Sequence, residues 1–359
     1  MTGNSMSSNK RIFYFDALRA LAILCVVLLH VTGHLGEIMN YNVHTIFSLS
    51  GIFETFANNF FRIGVPLFLM LSGALLLGRD WDVKGFFKKR IPRIAIPFVF
   101  WSLVFTIMLV LASYFISSVN FVTQFGIGDI LQVFVDTLIC KAPGSAVYWF
   151  FWMMLGMYIL MPIFNRGINN SDLRKVEAFL AIWTVYIIMT HSLMLPIPEY
   201  VSFFISPIGF VVLGYYLRHS ERGIFNSPIS AAILIIAPSV LMLVYSYAVV
   251  DSSILFVFHR YSLPVMVLAV GTFCLFKSSS RLNGISDLPK KIISSIALCS
   301  YGMYLIHSQI IMVVRKILHI SFGFVGDYVV LFAVGFVLSW IIIYVLSKMP
   351  VLDELIGVK

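Results

Sequence analysis

The chain has 359 residues, of which 60% are hydrophobic and 11% are charged, and its mean hydropathy is +0.96. A soluble domain carries about a quarter charged residues, so this composition excludes a water-soluble globule and indicates a polytopic membrane protein. The net charge of +9 does not indicate nucleic-acid binding, because the basic residues are spread through short loops, as membrane topology requires. The four cysteines show no paired spacing, which predicts neither a disulfide framework nor a zinc site.

Hydrophobic runs of about 17 residues or more predict ten membrane-spanning helices. The second run is unusually long, which indicates a tilt or a break near Asn58 and Asn59. No cleavage signature follows the first run, so we expect it to be retained as a span. The predicted limits are 13–33, 46–78, 92–118, 147–164, 176–195, 203–218 (the shortest), 229–249, 259–277, 295–314 and 326–347.

The distribution of Lys and Arg predicts the orientation. With the N-terminus in the cytoplasm, 19 of these residues fall in inside segments and 4 in outside segments. The positive-inside rule therefore predicts ten helices with both ends in the cytoplasm. We expect an all-α fold with one membrane domain over 1–359, in which cytoplasmic tails at 1–12 and 348–359 flank a transmembrane core at 13–347. The outside loop at 119–146 contains GDILQVFVDTLI, whose helical spacing predicts a helix at the outer interface.

The first span carries ionisable residues in an otherwise apolar segment. Arg19 and His30 are eleven residues apart, close to three helical turns, so they share a face. Asp16 precedes Arg19 by three residues and is placed to pair with it. Such residues cost several kcal/mol inside a membrane and are functional candidates, although Asp16 and Arg19 alone could form a structural ion pair near the interface.

His30 and His34 stand at i and i+4, a spacing that can ligate a metal. Glu37 is the only nearby third ligand, so we expect no metal site. His34 is expected to be an interfacial residue.

Arg62 in the second span lies at a depth similar to that of His30, since about sixteen residues separate it from the inner end of its helix. A guanidinium beside a neutral imidazole favours stabilisation of an anion. The alternative is that Arg62 snorkels outward past Asn58 and Asn59.

The sequence FFKKRIPRIAIPF places Arg90 and Arg93 three residues apart at the start of the third span, with Lys89 just before them. Guanidinium and ammonium groups beside a helix N-terminus suit phosphate binding. Ordinary positive-inside flanking is the alternative.

Aromatic and histidine residues mark the fourth and ninth spans. Trp149 fits an interfacial aromatic belt better than a sugar-stacking platform. In SYGMYLIH, Tyr301, Tyr304 and His307 recur every three residues, which indicates either a helix-packing network or, as we favour, the lining of a polar cavity. Three residues near outer helix ends are expected to be interfacial: His191, His259 and Arg260.

Five motifs in order carry a family resemblance. They are RALAILCVVLLH with the preceding FDALR, RIGVPLFLMLSG, KKRIPRIAIPF, YWFFWMMLGMYI and SYGMYLIH. With these motifs the chain resembles the membrane-bound acyltransferase type 3 family over its whole length. It is most similar to the shorter members without an attached soluble domain, in the enterobacterial common antigen O-acetyltransferase subgroup.

The resemblance implies transfer of an acyl group, usually acetyl, from acyl-CoA to a hydroxyl of a cell-envelope polysaccharide or lipid-linked saccharide. It implies that His30 is the essential base, that Arg19 supports the site, and that Arg90 and Arg93 face the CoA. The expected location is the plasma membrane of a bacterium or archaeon, and membrane lipids are the other expected partners.

The residues and the resemblance suggest one mechanism. Arg90, Arg93 and Lys89 bind the cytoplasmic phosphates of acetyl-CoA, and neutral His30 takes the proton of the acceptor hydroxyl. Arg62 or the Tyr304 hydroxyl steadies the oxyanion. Arg19, paired with Asp16, holds the pyrophosphate or the pantetheine arm, and His307 either orients His30 or binds the acceptor.

Two other readings stay open at this stage. A covalent acyl relay is compatible with the sequence. A multi-pass transporter or flippase is the competing class, but a transporter is expected to show internal symmetry, and neither the Arg-to-His motif nor RxxR occurs twice.

Overall fold

The computed structural model describes residues 12–36, 48–115, 126–248, 258–279, 282, 284–318, 322–350 and 352–358. Within these ranges the chain is helical and contains no strand, which confirms the predicted all-α class. The predicted N-terminal tail, apart from Ile12, and the candidate ligand Glu37 lie outside the described residues.

The α-helices of the described ranges follow in chain order. The first seven are α1 Phe13–Gly36, α2 Leu49–Phe60, α3 Gly64–Leu76, α4 Val83–Phe115, α5 Ile127–Leu138, α6 Trp149–Asn169 and α7 Leu173–Ile187. The remainder are α8 Glu199–His219, α9 Pro228–Ala248, α10 Leu263–Ser278, α11 Asp287–Leu318, α12 Gly323–Leu346 and α13 Asp353–Ile356. Short 3₁₀ turns cover Phe61–Ile63, Ala146–Tyr148 and Gly223–Phe225, and a π turn covers Ile188–Ser192.

Eight helical segments in the described ranges are long and apolar enough to cross a membrane, counting α2 and α3 as one. The chain is therefore a multi-pass membrane protein. The other two predicted spans correspond to the shorter α10 and to α7 with its π turn. The span predicted as the shortest is the 21-residue helix α8. The count of ten and the cytoplasmic location of both ends stay predictions.

The second span is broken, as its length predicted. The 3₁₀ turn Phe61–Ile63 separates α2 from α3 and carries Arg62. Pro66 supplies a physical reason for the break, because it has no N–H to donate to the Arg62 carbonyl four residues earlier. The break puts a charged side chain at irregular backbone.

The third span starts earlier than predicted. Helix α4 begins at Val83 and contains Pro92 and Pro97, so Arg90 and Arg93 lie on the helix and not in a loop before it. The predicted interfacial helix exists as α5, and its location at the interface stays a prediction.

Close backbone contact fixes α3 against α8. A Cβ atom on Gly73 would lie 1.7 Å from the Val211 carbonyl oxygen, and one on Gly214 would lie 1.9 Å from the Met70 carbonyl oxygen. Only glycine permits this approach of the two backbones.

Helix α1 lies at the centre of the bundle, where it contacts α3, α11 and α12. The described part of the C-terminal tail also joins the bundle, since α13 packs on α4 and Ile356 is fully buried. The Trp101 indole N–H donates to the Ile356 carbonyl oxygen at 3.4 Å.

We expect Gly214→Ala to destabilise the protein by about 1–3 kcal/mol, because the new methyl group overlaps the Met70 carbonyl. The thermal midpoint of the detergent-solubilised protein measures the effect. Gly167→Ala is the matched control, since no atom lies within 4 Å of its added Cβ and alanine favours a helix. Equal midpoints for the two variants would contradict the packing of α3 on α8.

The predicted orientation makes Cys140 the reporter of the outer face. The other three cysteines are buried, whereas Cys140 is partly exposed at the turn after α5. We expect a membrane-impermeant maleimide to label intact cells at Cys140 and Cys140→Ser to abolish that label. Partial burial raises the pKa of the Cys140 thiol, so labelling should be faster at pH 8 than at pH 7, where less thiolate is present.

Lys175→Cys in the Cys140→Ser protein is the counterpart on the predicted inner side, where Lys175 is exposed. It should be labelled only after the cells are permeabilised. Labelling of Cys140 only after permeabilisation would reverse the orientation.

Candidate active site

A half-buried imidazole of α1 meets a fully buried imidazole of α11. The Nδ1 atom of His30 lies 2.8 Å from the Nε2 atom of His307, and the ring centroids are 4.9 Å apart. The His307 side chain is fully buried. The two residues are 277 positions apart in the sequence, so packing of the two helices creates the pair.

Backbone carbonyls assign the protons of this pair. The Nδ1 atom of His307 lies 2.8 Å from the Tyr304 carbonyl oxygen and 3.1 Å from that of Met303, so it carries the proton and donates. In the neutral ring, Nε2 of His307 then accepts from the Nδ1–H of His30. The Nε2 atom of His30 is left with its lone pair, which is the form that a general base requires.

Arg62 and His30 face one cavity, as their similar predicted depth implied. This central cavity has a volume of about 70 Å³. Its polar lining consists of His30, Arg62, Trp149, Arg260 and Tyr304. The Nε atom of Arg62 donates to the Asn58 carbonyl oxygen at 2.7 Å, which anchors the guanidinium at the broken second span.

Sequence reasoning placed Arg260 at the interface and missed its position in the central cavity. Its guanidinium carbon lies 4.1 Å from the centroid of the Trp149 ring, a cation–π contact. No local sequence pattern could reveal this contact, because Arg260 and Trp149 are about 110 residues apart in the sequence.

A second cavity, here called the basic cavity, has a volume of about 390 Å³ and is lined by four arginines: Arg19, Arg79, Arg90 and Arg93. Tyr158 and Tyr301 line it as well. No sequence motif singled out Arg79. Lys89, which was grouped with Arg90 and Arg93, is exposed and does not line the basic cavity.

The basic and central cavities share three lining residues: Phe68, Phe150 and Tyr304. These aromatic side chains therefore stand between the four arginines and His30. The Tyr304 hydroxyl donates to the Val147 carbonyl oxygen. Because this proton is already committed, the structure favours Arg62 over Tyr304 as the group that meets a developing negative charge.

A third, distal cavity of about 690 Å³ lies beyond His30. His30, His34, Ser308 and Arg315 form its polar lining. His34 Nε2 lies 3.3 Å from the Ser308 hydroxyl oxygen, and Arg315 donates to the His34 carbonyl oxygen. His30 is thus reached from two sides.

Asp16 is buried at the other end of the polar stripe of α1. Its carboxylate accepts a hydrogen bond from the Ser294 hydroxyl at 3.0 Å. Its pairing with Arg19 stays a prediction.

Two other histidines form a separate pair. The rings of His191 and His259 stack at 4.2 Å, and His191 Nε2 lies 2.7 Å from the Ser206 hydroxyl oxygen. Neither residue lines the basic, central or distal cavity. Within the described ranges, no group of three or more His, Cys, Asp or Glu side chains could hold a metal ion.

The fold and the site define a multi-pass helical membrane protein with a pair of histidines between a cation-lined cavity and a larger cavity. A family model described as an acyltransferase domain matches residues 12–344. The chain therefore belongs to the acyltransferase type 3 family. No curated protein and no solved structure matches it.

Proposed function

We propose that the protein is an O-acyltransferase that moves an acyl group, acetyl in the simplest case, from acyl-CoA to a hydroxyl of an envelope polysaccharide or lipid-linked saccharide. The observation that carries the proposal is that the cavity lined by four arginines adjoins, at Tyr304, the cavity lined by His30. Membership of the acyltransferase family supports the reaction class.

The basic cavity is the proposed donor site. CoA carries its charge on phosphates, and Arg forks bind phosphate oxygens in bidentate geometry. Arg90 and Arg93 lie about two to three turns into α4, and Arg19 and Arg79 complete the cation cluster. The apolar part of the basic cavity suits the pantetheine arm, which leads toward Phe68 and Tyr304.

His30 performs the proton transfers. Its Nε2 takes the proton of the acceptor hydroxyl while that oxygen attacks the thioester carbonyl carbon. The tetrahedral oxyanion meets the Arg62 guanidinium. Collapse breaks the carbon–sulfur bond, and His30 returns the proton to the departing CoA thiolate, so the charges balance over the cycle.

His307 acts as a positioning residue. It accepts the Nδ1–H of His30 and is itself held by the backbone carbonyls of α11, so it fixes both the tautomer and the ring orientation of the base. Of the two roles that the sequence left open, this geometry supports orientation over binding of the acceptor.

The distal cavity is the proposed acceptor site, because it reaches His30 and is larger than the central cavity. The similarity to the common antigen subgroup supports an envelope saccharide as the acceptor. We place the protein in the plasma membrane on the same grounds.

We expect His30→Ala to lower kcat for CoA release from acetyl-CoA by about 10²–10⁴-fold, because general-base catalysis contributes that much. His307→Ala should lower kcat by roughly 10- to 100-fold and leave the KM for acetyl-CoA unchanged, since His307 does not line the basic cavity. His307→Gln should recover part of the loss, because its amide oxygen can accept from His30. Thiol release by detergent-purified protein with an extract of envelope glycans measures all three.

Thiol release also decides between enzyme and transporter. A transporter or flippase would release no thiol, and the wild-type protein and His30→Ala would give the same result in that assay. Release without extract would indicate a covalent relay or hydrolysis, and full activity of His307→Ala would exclude the positioning role.

The double variant Arg90→Gln with Arg93→Gln is expected to weaken CoA binding by about 100-fold or more, because two charge-assisted contacts to phosphate are lost. Isothermal titration with CoA measures the dissociation constant. Lys89→Gln is the matched control on the same helix and should change it little, since Lys89 does not line the basic cavity. A larger effect of Lys89→Gln than of the double variant would move the donor site out of the basic cavity.

A further inference from the structure

The central cavity holds two guanidinium groups, Arg62 and Arg260, beside His30. Among the residues that the structure describes, neither guanidinium makes an ion pair with a carboxylate. Each cation faces the other across the same small space. Two partly buried cations without a counter-ion repel each other, so a fold that holds them there favours an anionic ligand.

The geometry leaves donors available on both side chains. Arg62 commits its Nε–H to the Asn58 carbonyl, and that bond orients its two terminal amino groups. Arg260 is held by its face against Trp149, a contact that leaves the N–H edge of the guanidinium unused. Two guanidinium groups that line one cavity suit a carboxylate or a phosphate group.

The reaction itself supplies too little negative charge. An acyl thioester and a sugar hydroxyl are neutral, and the oxyanion of the tetrahedral intermediate contributes one transient charge. The phosphates of CoA lie with the separate arginine cluster of the basic cavity. Among the described residues, one of the two cations of the central cavity therefore has no anionic partner at any stage of a reaction between neutral groups.

We infer that the central cavity is a binding site for a permanent anionic group, a carboxylate or a phosphate, carried by a substrate next to the reacting carbonyl. Arg260 is the residue that recognises this group, and Arg62 remains with the oxyanion. The inference rests on the proposed function and narrows its substrate class.

The anionic group has two possible carriers. The central cavity shares Phe68, Phe150 and Tyr304 with the basic cavity, so the far end of a dicarboxylic acyl group can enter it from the donor side. It shares His30 and Val147 with the distal cavity, so an acidic substituent of the acceptor sugar can enter it as well. In both cases Arg260 binds an anionic group, whether it belongs to the acyl group or to the acceptor sugar.

Matched ligand pairs test the site in the full-length protein. Succinyl-CoA and butyryl-CoA differ only in the terminal carboxylate and form the donor arm. The acceptor arm uses methyl glucuronide against methyl glucoside, and glucose 6-phosphate against glucose, each with CoA present. Isothermal titration gives the dissociation constant of every ligand, and the anion preference is the ratio within a pair.

We expect the wild-type protein to prefer the charged member of at least one pair by about tenfold or more. Arg260→Gln should remove that preference while CoA binding stays unchanged, and Arg260→Lys should keep part of it because the charge remains. Lys141→Gln removes a cation from an exposed position outside the three cavities and should keep the whole preference.

A preference in the donor arm assigns the anion to the acyl group, and one in the acceptor arm assigns it to the sugar. No preference in any pair, or a preference that survives in Arg260→Gln, overturns the inference. Failure of the proposed function gives a different result, since CoA would then not bind and no thiol would be released, whatever the sugar pairs show.

Discussion

The hydrogen bond between His30 and His307 ties the chemistry of the site to the packing of the bundle. It requires α1 and α11 to pack with a definite register, because a rotation of either helix would separate two rings that are 2.8 Å apart at their nitrogens. The hydrogen bonds from His307 to the Met303 and Tyr304 carbonyls lie within α11, so they do not depend on how the helices pack. Among the described residues, helix packing therefore fixes the tautomer of His30 through a second histidine and not through a carboxylate.

The same helix bundle places its buried cations beside internal cavities and not in the apolar medium. The six arginines that were assigned to the basic and central cavities can be solvated there by water or a ligand. Their charges therefore do not need to face lipid. The break at Phe61–Ile63 belongs to this solution, since it frees a backbone carbonyl at Asn58 to accept from Arg62. The glycine contact between α3 and α8 then holds the broken span rigidly against the rest of the bundle.

Much of this arrangement could be predicted from the sequence because it is periodic. The helical repeat places Arg19 and His30 on one face, the span limits place Arg62 at a similar depth, and the RxxR spacing places Arg90 and Arg93 together. These predictions depend only on rise per residue and on hydrophobicity. The class of protein follows from composition for the same reason.

Contacts between distant helices could not be predicted in this way. The choice between orientation and acceptor binding for His307 depended on the rotation of α11, and the committed hydroxyl of Tyr304 depended on the turn before α6. Arg260 was expected to be interfacial because charge counting treats every cation near a helix end alike. Lys89 was grouped with its neighbours, although a helix that starts at Val83 turns it away from the basic cavity.

The lining of the basic cavity runs from Arg19 near one end of the sequence to Gly357 near the other. Gly357 adopts a left-handed backbone with φ of 88°, and a side chain there would collide with Tyr301, so this turn closes against α11 only as glycine. The wall of the basic cavity is therefore incomplete until the turn at Gly357 has been made and has packed against Tyr301, although Arg19 is made early. A nascent protein can insert its helices one after another, yet this cavity is complete only when these two distant parts of the chain have met.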